Sequence, residues 1–189
     1  IIEDNSNTTI NGALTIKDYD NSEFAKGGIK IAQSNLNVAG GVEFDNADTE
    51  LNNSSNANFK DKLTLIDSAM LLKNSSSLNV GGVADFTDSA LVVQNGSKVM
   101  FGNNFTMKNG ANPVIEQDND FSGGSLSLDN STLDIKKEAK FYATDALINH
   151  GSTAKIDNLV NRRSNIYVVN DSKLEIDKDA EFAGAHLIV

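Results

Sequence analysis

The feature that most constrains the fold is a degenerate internal repeat near 20 to 21 residues. Asp67-Ser68-Ala69-Met70-Leu71-Leu72-Lys73-Asn74 returns 21 residues later as Asp88-Ser89-Ala90-Leu91-Val92-Val93-Gln94-Asn95. Each copy runs on to an apolar pair two apart, Leu78 with Val80 and Val99 with Phe101. Leu133-Asp134-Ile135 with Phe141 returns as Leu174-Glu175-Ile176 with Phe182, 41 residues on. Leu36-Asn37-Val38 with Phe44 returns as Leu78-Asn79-Val80 with Phe86, 42 residues on. A fourth match sets Val92-Val93-Gln94-Asn95-Gly96-Ser97-Lys98-Val99 against Val168-Val169-Asn170-Asp171-Ser172-Lys173-Leu174 with one deletion. A fixed period of this size marks units that stack on one another because none can bury its apolar face alone.

Within a unit the apolar period is two. Leu14-Thr15-Ile16, Ile29-Lys30-Ile31, Leu63-Thr64-Leu65, Leu126-Ser127-Leu128 and Ile166-Tyr167-Val168 alternate as short strands with one apolar face do. No ten-residue stretch carries a helical stripe. Between the strands lie clusters such as Asn52-Asn53-Ser54-Ser55-Asn56 and Asn74-Ser75-Ser76-Ser77, whose residue types tolerate turns and left-handed backbone angles. The glycine pairs Gly27-Gly28, Gly40-Gly41, Gly81-Gly82 and Gly123-Gly124 suit tight corners, since none opens a helix. Three short strands per period, stacked in parallel about 4.8 Å apart, satisfy all of this. The expectation is an all-β solenoid, a parallel β-helix of about 20–21 residues per turn, with Phe44, Phe86, Phe101, Phe141 and Phe182 stacked in its core. An antiparallel sandwich also alternates, but it does not require constant offsets. Residues 1–189 read as a single β-helix segment. The start on Ile1-Ile2-Glu3-Asp4 and the end inside a strand suggest a piece of a longer protein.

Composition excludes several functions. The net charge of -10 repels a phosphate backbone, so nucleic acid is not an expected partner, nor is an anionic lipid surface. No apolar run reaches the roughly 18 residues of a membrane span, so this segment does not insert directly. With no Cys, thiolate chemistry and iron–sulfur clusters are ruled out.

The units of the form Asn/Asp-Ser-Ala/Thr-Leu-x-Val/Ile, as in Asp88 to Val93 and Asn130-Ser131-Thr132-Leu133-Asp134-Ile135, resemble autotransporter (type V secretion) passenger domains. That family includes adhesins and vacuolating-cytotoxin-like proteins on right-handed parallel β-helices. The resemblance covers most of the chain and implies a bacterial cell-surface or secreted location, outer-membrane anchored or released. It implies an adhesin or structural interaction module with a role in virulence. Its partners would be a host-cell receptor, a glycan or a matrix protein, together with self-association through Asn- and Ser-rich faces. The alternatives are receptor binding by a toxin fragment of the vacuolating type, or a polysaccharide-degrading enzyme on the same scaffold.

No catalytic or cofactor-binding residue is assigned, and the chain reads as a non-enzyme. A lyase on such a scaffold would need a basic residue beside carboxylates. Arg162 and Arg163, the only arginines, lie near Asp157 and Asp171 in sequence and read as a solvated loop. His150 and His186 lack a metal-spaced partner and read as surface or strand-end residues. There is no Gly-x-Ser-x-Gly elbow. Calcium is the best-suited ion for the alternating Glu116, Asp118 and Asp120, and for Asp18 and Asp20, because hard oxygen ligands from a turn suit it. Neither acidic set belongs to a calcium-loop motif, so no metal ligand is assigned. The segment 111–124 is a candidate insertion between turns.

Overall fold

Stacking begins with the strands themselves. In a computed structural model, residues 1–18, 27–115, 119–122, 125–143 and 145–189 are described, with 119–122 described by backbone alone. Every named element among them is a strand, and every pairing is parallel. The chain is a parallel β-solenoid with three strands per coil, one on each of three faces.

Face 1 begins at Gly28–Ala32 and continues through Asp48–Asn52, Ala69–Leu72, Ala90–Val93 and Val114–Ile115 to Lys173–Ile176. Face 2 begins at Asn7–Ile10 and continues through Asn35–Val38, Asn56–Phe59, Ser77–Val80 and Lys98–Phe101 to Ala180–Ala183. Two long strands, Thr132–Tyr142 and Thr153–Arg162, run through the corner between these faces and join them into one sheet. Face 3 is a separate nine-stranded sheet from Leu14–Lys17 to His186–Ile188.

Residues 69–72, 77–80 and 84–87 pair with residues exactly one period on, at 90–93, 98–101 and 105–108. The stacking therefore obeys the 21-residue offset of the sequence. The first three internal matches are matches in space: Leu36 and Leu78 share face 2 two levels apart, and Leu133 and Leu174 share face 1. The fourth is a coincidence of chemistry. Val93 closes a face 1 strand and Val168 a face 3 strand, so the match overlays two different corners. It arises because both corners use Asn, a small turn residue and Ser in the same order.

Alternation puts one residue in two inside. Leu36, Val38, Phe59, Leu78, Val80, Phe44, Phe86 and their stack neighbours form one continuous core. The expected phenylalanines divide between two faces. Phe44 and Phe86 lie on face 3 with Leu65 between them. Phe101, Phe141 and Phe182 share a face 2 column that also contains Val80 and Asn161. Phe44, Phe86, Phe101 and Phe141 are buried, but Phe182 is 39% exposed. Phe182 sits in the last face 2 strand of the chain, which pairs only with the level before it, so half its stacking surface is uncovered.

The corners are held by ladders. Between faces 1 and 2, the backbone N–H of Ser34 donates to the Ser55 hydroxyl at 3.4 Å, that of Ser55 to Ser76 at 3.3 Å, and that of Ser76 to Ser97 at 3.1 Å. Between faces 3 and 1 the same device links Ala47 to Ser68 and Ser68 to Ser89, then Ser131 to Ser152. At the corner between faces 3 and 1, one residue per level turns the chain. Asn46, Asp67, Asp88, Asn109, Asn130, His150 and Asn170 all have φ between 47° and 53°. Short polar side chains visit this left-handed region more readily than other non-glycine residues. At Gly81, between faces 2 and 3, a Cβ would lie 2.7 Å from the carbonyl oxygen of Lys60, so close approach of the level below requires glycine.

One departure from the period is large. Leu14 pairs with Val42, an offset of 28, and the extra residues lie between Asp18 and Gly27. The segment 111–124 behaves differently from the expected insertion. Val92 pairs with Val114 and Phe101 pairs with Phe121, offsets of 22 and 20, so the described part stays inside the stack. The extra residue lies between Asn109, whose N–H pairs as that of Asp88 does, and Asn112, whose N–H donates to Ser89 as that of Ala90 donates to Ser68.

Candidate interaction surfaces

With half of each strand committed to the core, function must reside in outward positions and corners. Face 2 presents amides along its first levels. The Asn56 amide donates to Asn35 at 2.9 Å and the Asn58 amide to Asn37 at 3.0 Å, each across one level. These side chains satisfy one another along the rod.

Further along, face 2 carries Tyr142, which is 48% exposed. It ends the long strand Thr132–Tyr142, and its column neighbour is Arg162 on the next level. The Arg163 guanidinium donates to the Tyr142 hydroxyl at 3.2 Å and lies 5.8 Å from the ring centroid. Arg162 donates through Nε and an Nη to the Glu181 carboxylate at 3.1 and 2.8 Å. Glu138, Lys140, Tyr142, Val160, Arg162 and Glu181 line an open groove of about 480 Å³. Both arginines of the chain thus meet at its exposed tyrosine of face 2. Sequence reading placed them in a loop near Asp157 and Asp171. Instead Arg162 closes a strand, Arg163 is the corner residue with φ 55°, and Asp157 is engaged by Lys178 at 2.6 Å. The signal missed was the period: Tyr142 and Arg163 are 21 residues apart.

The acidic corner residues largely serve the backbone. Asp48 accepts the N–H of Ala69 at 3.0 Å, and Asp145 accepts that of Asn165 at 2.8 Å. Asp18 accepts the N–H of Gly27 at 2.8 Å. Among the described residues no group of three metal-binding side chains converges. Glu116, Asp118 and Asp20, and the side chain of Asp120, lie outside the described residues, as do Gly123 and Gly124. His150 occupies a corner, where its Nδ1 lies 2.7 Å from Asp129, and His186 is exposed in a strand of face 3.

Face 1 has a different outward surface. Its central column reads Lys30, Glu50, Leu71, Val92, Val114, Asp134, Lys155 and Glu175, each paired in register with the next. Three consecutive apolar side chains therefore face outward in the middle of the rod, with Ala69 and Ala90 beside them. A groove of about 800 Å³ runs from Gly28 and Lys30 past Ala69 to Val92. The sequence did carry a signal for it. Leu71-Leu72 and Val92-Val93 are consecutive apolar residues in period-two strands, so one of each pair must point outward.

The charged ends of this column are tied locally. Glu50 pairs with Lys73 at 3.0 Å, and Glu175 is held by Lys173 and by Lys155 at 3.3 Å. Hydrogen bonding first to Lys173 and then to Lys155 holds the Glu175 carboxyl below the ordinary range. Against known proteins, the chain matches no family model, no curated protein and no solved structure.

Proposed function

We propose that this chain is a non-enzymatic, β-helical passenger segment displayed at a bacterial surface or secreted from it, and that it acts as an adhesive interaction module. Its partners in this reading are a host-cell receptor, a glycan or a matrix protein. The observation that carries it is the Tyr142, Arg162 and Arg163 cluster on a rigid, repetitive face. Tyr and Arg supply most binding hot spots, because each presents a large contact area and directional donors. A tyrosine ring flanked by guanidinium and carboxylate groups also suits a sugar, whose C–H face stacks on the ring while its hydroxyls take the polar groups. The scaffold contributes preorganisation: parallel strands on both adjacent levels hold Tyr142 and Arg162 in place, so little is lost in ordering them on binding.

The test is binding of the purified chain to cultured host cells and to arrays of glycans and matrix proteins. The double substitution Tyr142→Ala with Arg163→Ala is expected to weaken binding on the order of tenfold or more, at unchanged circular dichroism. Binding that survives this double substitution would remove the cluster from the reading. Turnover of a polysaccharide by the same preparation would replace the adhesive reading with an enzymatic one.

A further inference from the structure

The charge order on face 1 singles out a partner. From Lys30 to Glu175 the central column runs positive, negative, three apolar residues, negative, positive, negative. We infer that face 1 is the contact surface of an antiparallel, two-fold dimer of this chain, with the axis passing between Val92 and Val114. This rests on the reading that outward faces of the rod are interaction surfaces, and it names both the face and the register.

Geometry limits the choices. Two like faces packed under a two-fold axis along the rod would set each residue against itself, Lys30 on Lys30 and Glu50 on Glu50. An axis across the rod reverses the second copy. Centred on Val92, it sets Lys30 against Lys155 and Glu50 against Asp134. Centred on Val114, it sets Glu50 against Glu175. Centred between them, it sets Lys30 against Glu175 of the second copy and Glu50 against Lys155, with Val92 meeting Val114. Only this register pairs opposite charges at both positions, and like-charge juxtaposition at an interface costs several kcal/mol. It places Leu71 against Asp134, whose carboxylate is already neutralised by Lys136.

The flanking column agrees. Gly28 and Ala69, whose small side chains open the groove, then face Lys173 and Thr132 of the second copy, which are larger and exposed. Lys30 is exposed and has no ion pair among the described residues, so its charge is available to the second copy. Eight levels at about 4.8 Å, each about four residues of strand wide, give a face of roughly 500 Å² per copy. That is at the low end of specific interfaces, so the dimer is weak and concentration-dependent.

Sedimentation equilibrium of the intact chain tests it. A monomer–dimer equilibrium is expected at concentrations up to about 1 mM, weakening as salt is raised. Val92→Lys is expected to leave only monomer with an unchanged circular dichroism spectrum. Lys30→Glu alone and Glu175→Lys alone should each weaken association on the order of tenfold. The two reversals combined should restore it. A monomer throughout this range, dimerisation indifferent to Val92→Lys, or a double reversal no better than the singles would overturn the proposal. None of these variants touches Tyr142 or Arg163. Failure here therefore leaves the adhesive reading to its own assay, and failure of that assay leaves the dimer measurement intact.

Discussion

The hydroxyl of Ser76 joins two levels of the rod. Its oxygen accepts the backbone N–H of Ser55 at 3.3 Å while its hydrogen goes to the carbonyl of Lys73 at 2.8 Å. Both serines are fully buried. The side chain is therefore the partner for two backbone groups of the corner, the fully buried Ser55 N–H and the part-buried Lys73 carbonyl. Ser76→Ala removes the hydroxyl and strands the Ser55 N–H. A buried donor left without a partner costs about 1–3 kcal/mol. The expected result is a urea unfolding midpoint lowered accordingly, whereas Ser77→Ala, whose hydroxyl donates to the exposed side chain of Asn56, should change it little.

A second expectation concerns the aromatic centre. Phe105 lies 5.0 Å from Phe86 in an edge arrangement and 4.3 Å from Phe101 in a stacked one. It joins face 3 to face 2 across the interior. Phe105→Ala should destabilise by about 3–5 kcal/mol, since the strands around it are fixed by their ladders and cannot collapse into the space. Phe105→Leu should lose much less. Because each level contacts only its neighbours, hydrogen exchange should report the loss most strongly in the levels holding Phe86 and Phe101.

The two expectations differ in how far the sequence foretold them. Alternation and the 21-residue offset determine which residues point inward, so the burial of Phe86 and Phe101 was legible. Their assignment to different faces was not, because the matches give the period without saying which strand of the three a residue occupies. The same gap allowed the Asn95 and Asn170 corners to be overlaid, since two corners with the same turn chemistry look alike in one dimension. The site was less legible than the core. Tyr142 and Arg163 are one period apart, yet neither belongs to an internal match. The outward stripe of Leu71, Val92 and Val114 went unread, although Leu71-Leu72 and Val92-Val93 break the period-two alternation.

Glu175 gives an expectation in pH. Its carboxyl is held below the ordinary carboxylate range, first by hydrogen bonding to Lys173 and then to Lys155. A depressed pKa in the folded state means that the interaction favours folding at pH values above the unfolded value of a glutamate. That contribution is lost as pH falls through the lower, folded value. Glu175 is partly open to solvent, which screens the ion pairs and keeps the stability effect small, and the titration is the better readout. Carbon-detected NMR should show Glu175 titrating below the ordinary glutamate range. Lys173→Gln should move it upward, and added salt should do so partially.

The last expectation starts from an anomaly in the face 2 column. Between Phe141 and Phe182 the inward position is Asn161, fully buried, with no partner for its Oδ1 among the described residues. Its amide nitrogen makes one long contact, donating to the Ser164 carbonyl at 3.4 Å. That carbonyl also accepts the N–H of His186 at 3.3 Å, so it does not depend on Asn161. Removing the amide thus orphans nothing, while keeping it leaves a desolvated oxygen among apolar neighbours. Asn161→Leu, close in volume, should raise stability by about 1–2 kcal/mol, since a buried unsatisfied polar group is worse than an apolar one of its shape. Asn161→Asp should do the reverse, because its charge would be buried without a cation. Thermal melts of the two variants check the pair. A lower melting temperature for Asn161→Leu would mean that the Ser164 contact stabilises the corner more than the buried oxygen destabilises it.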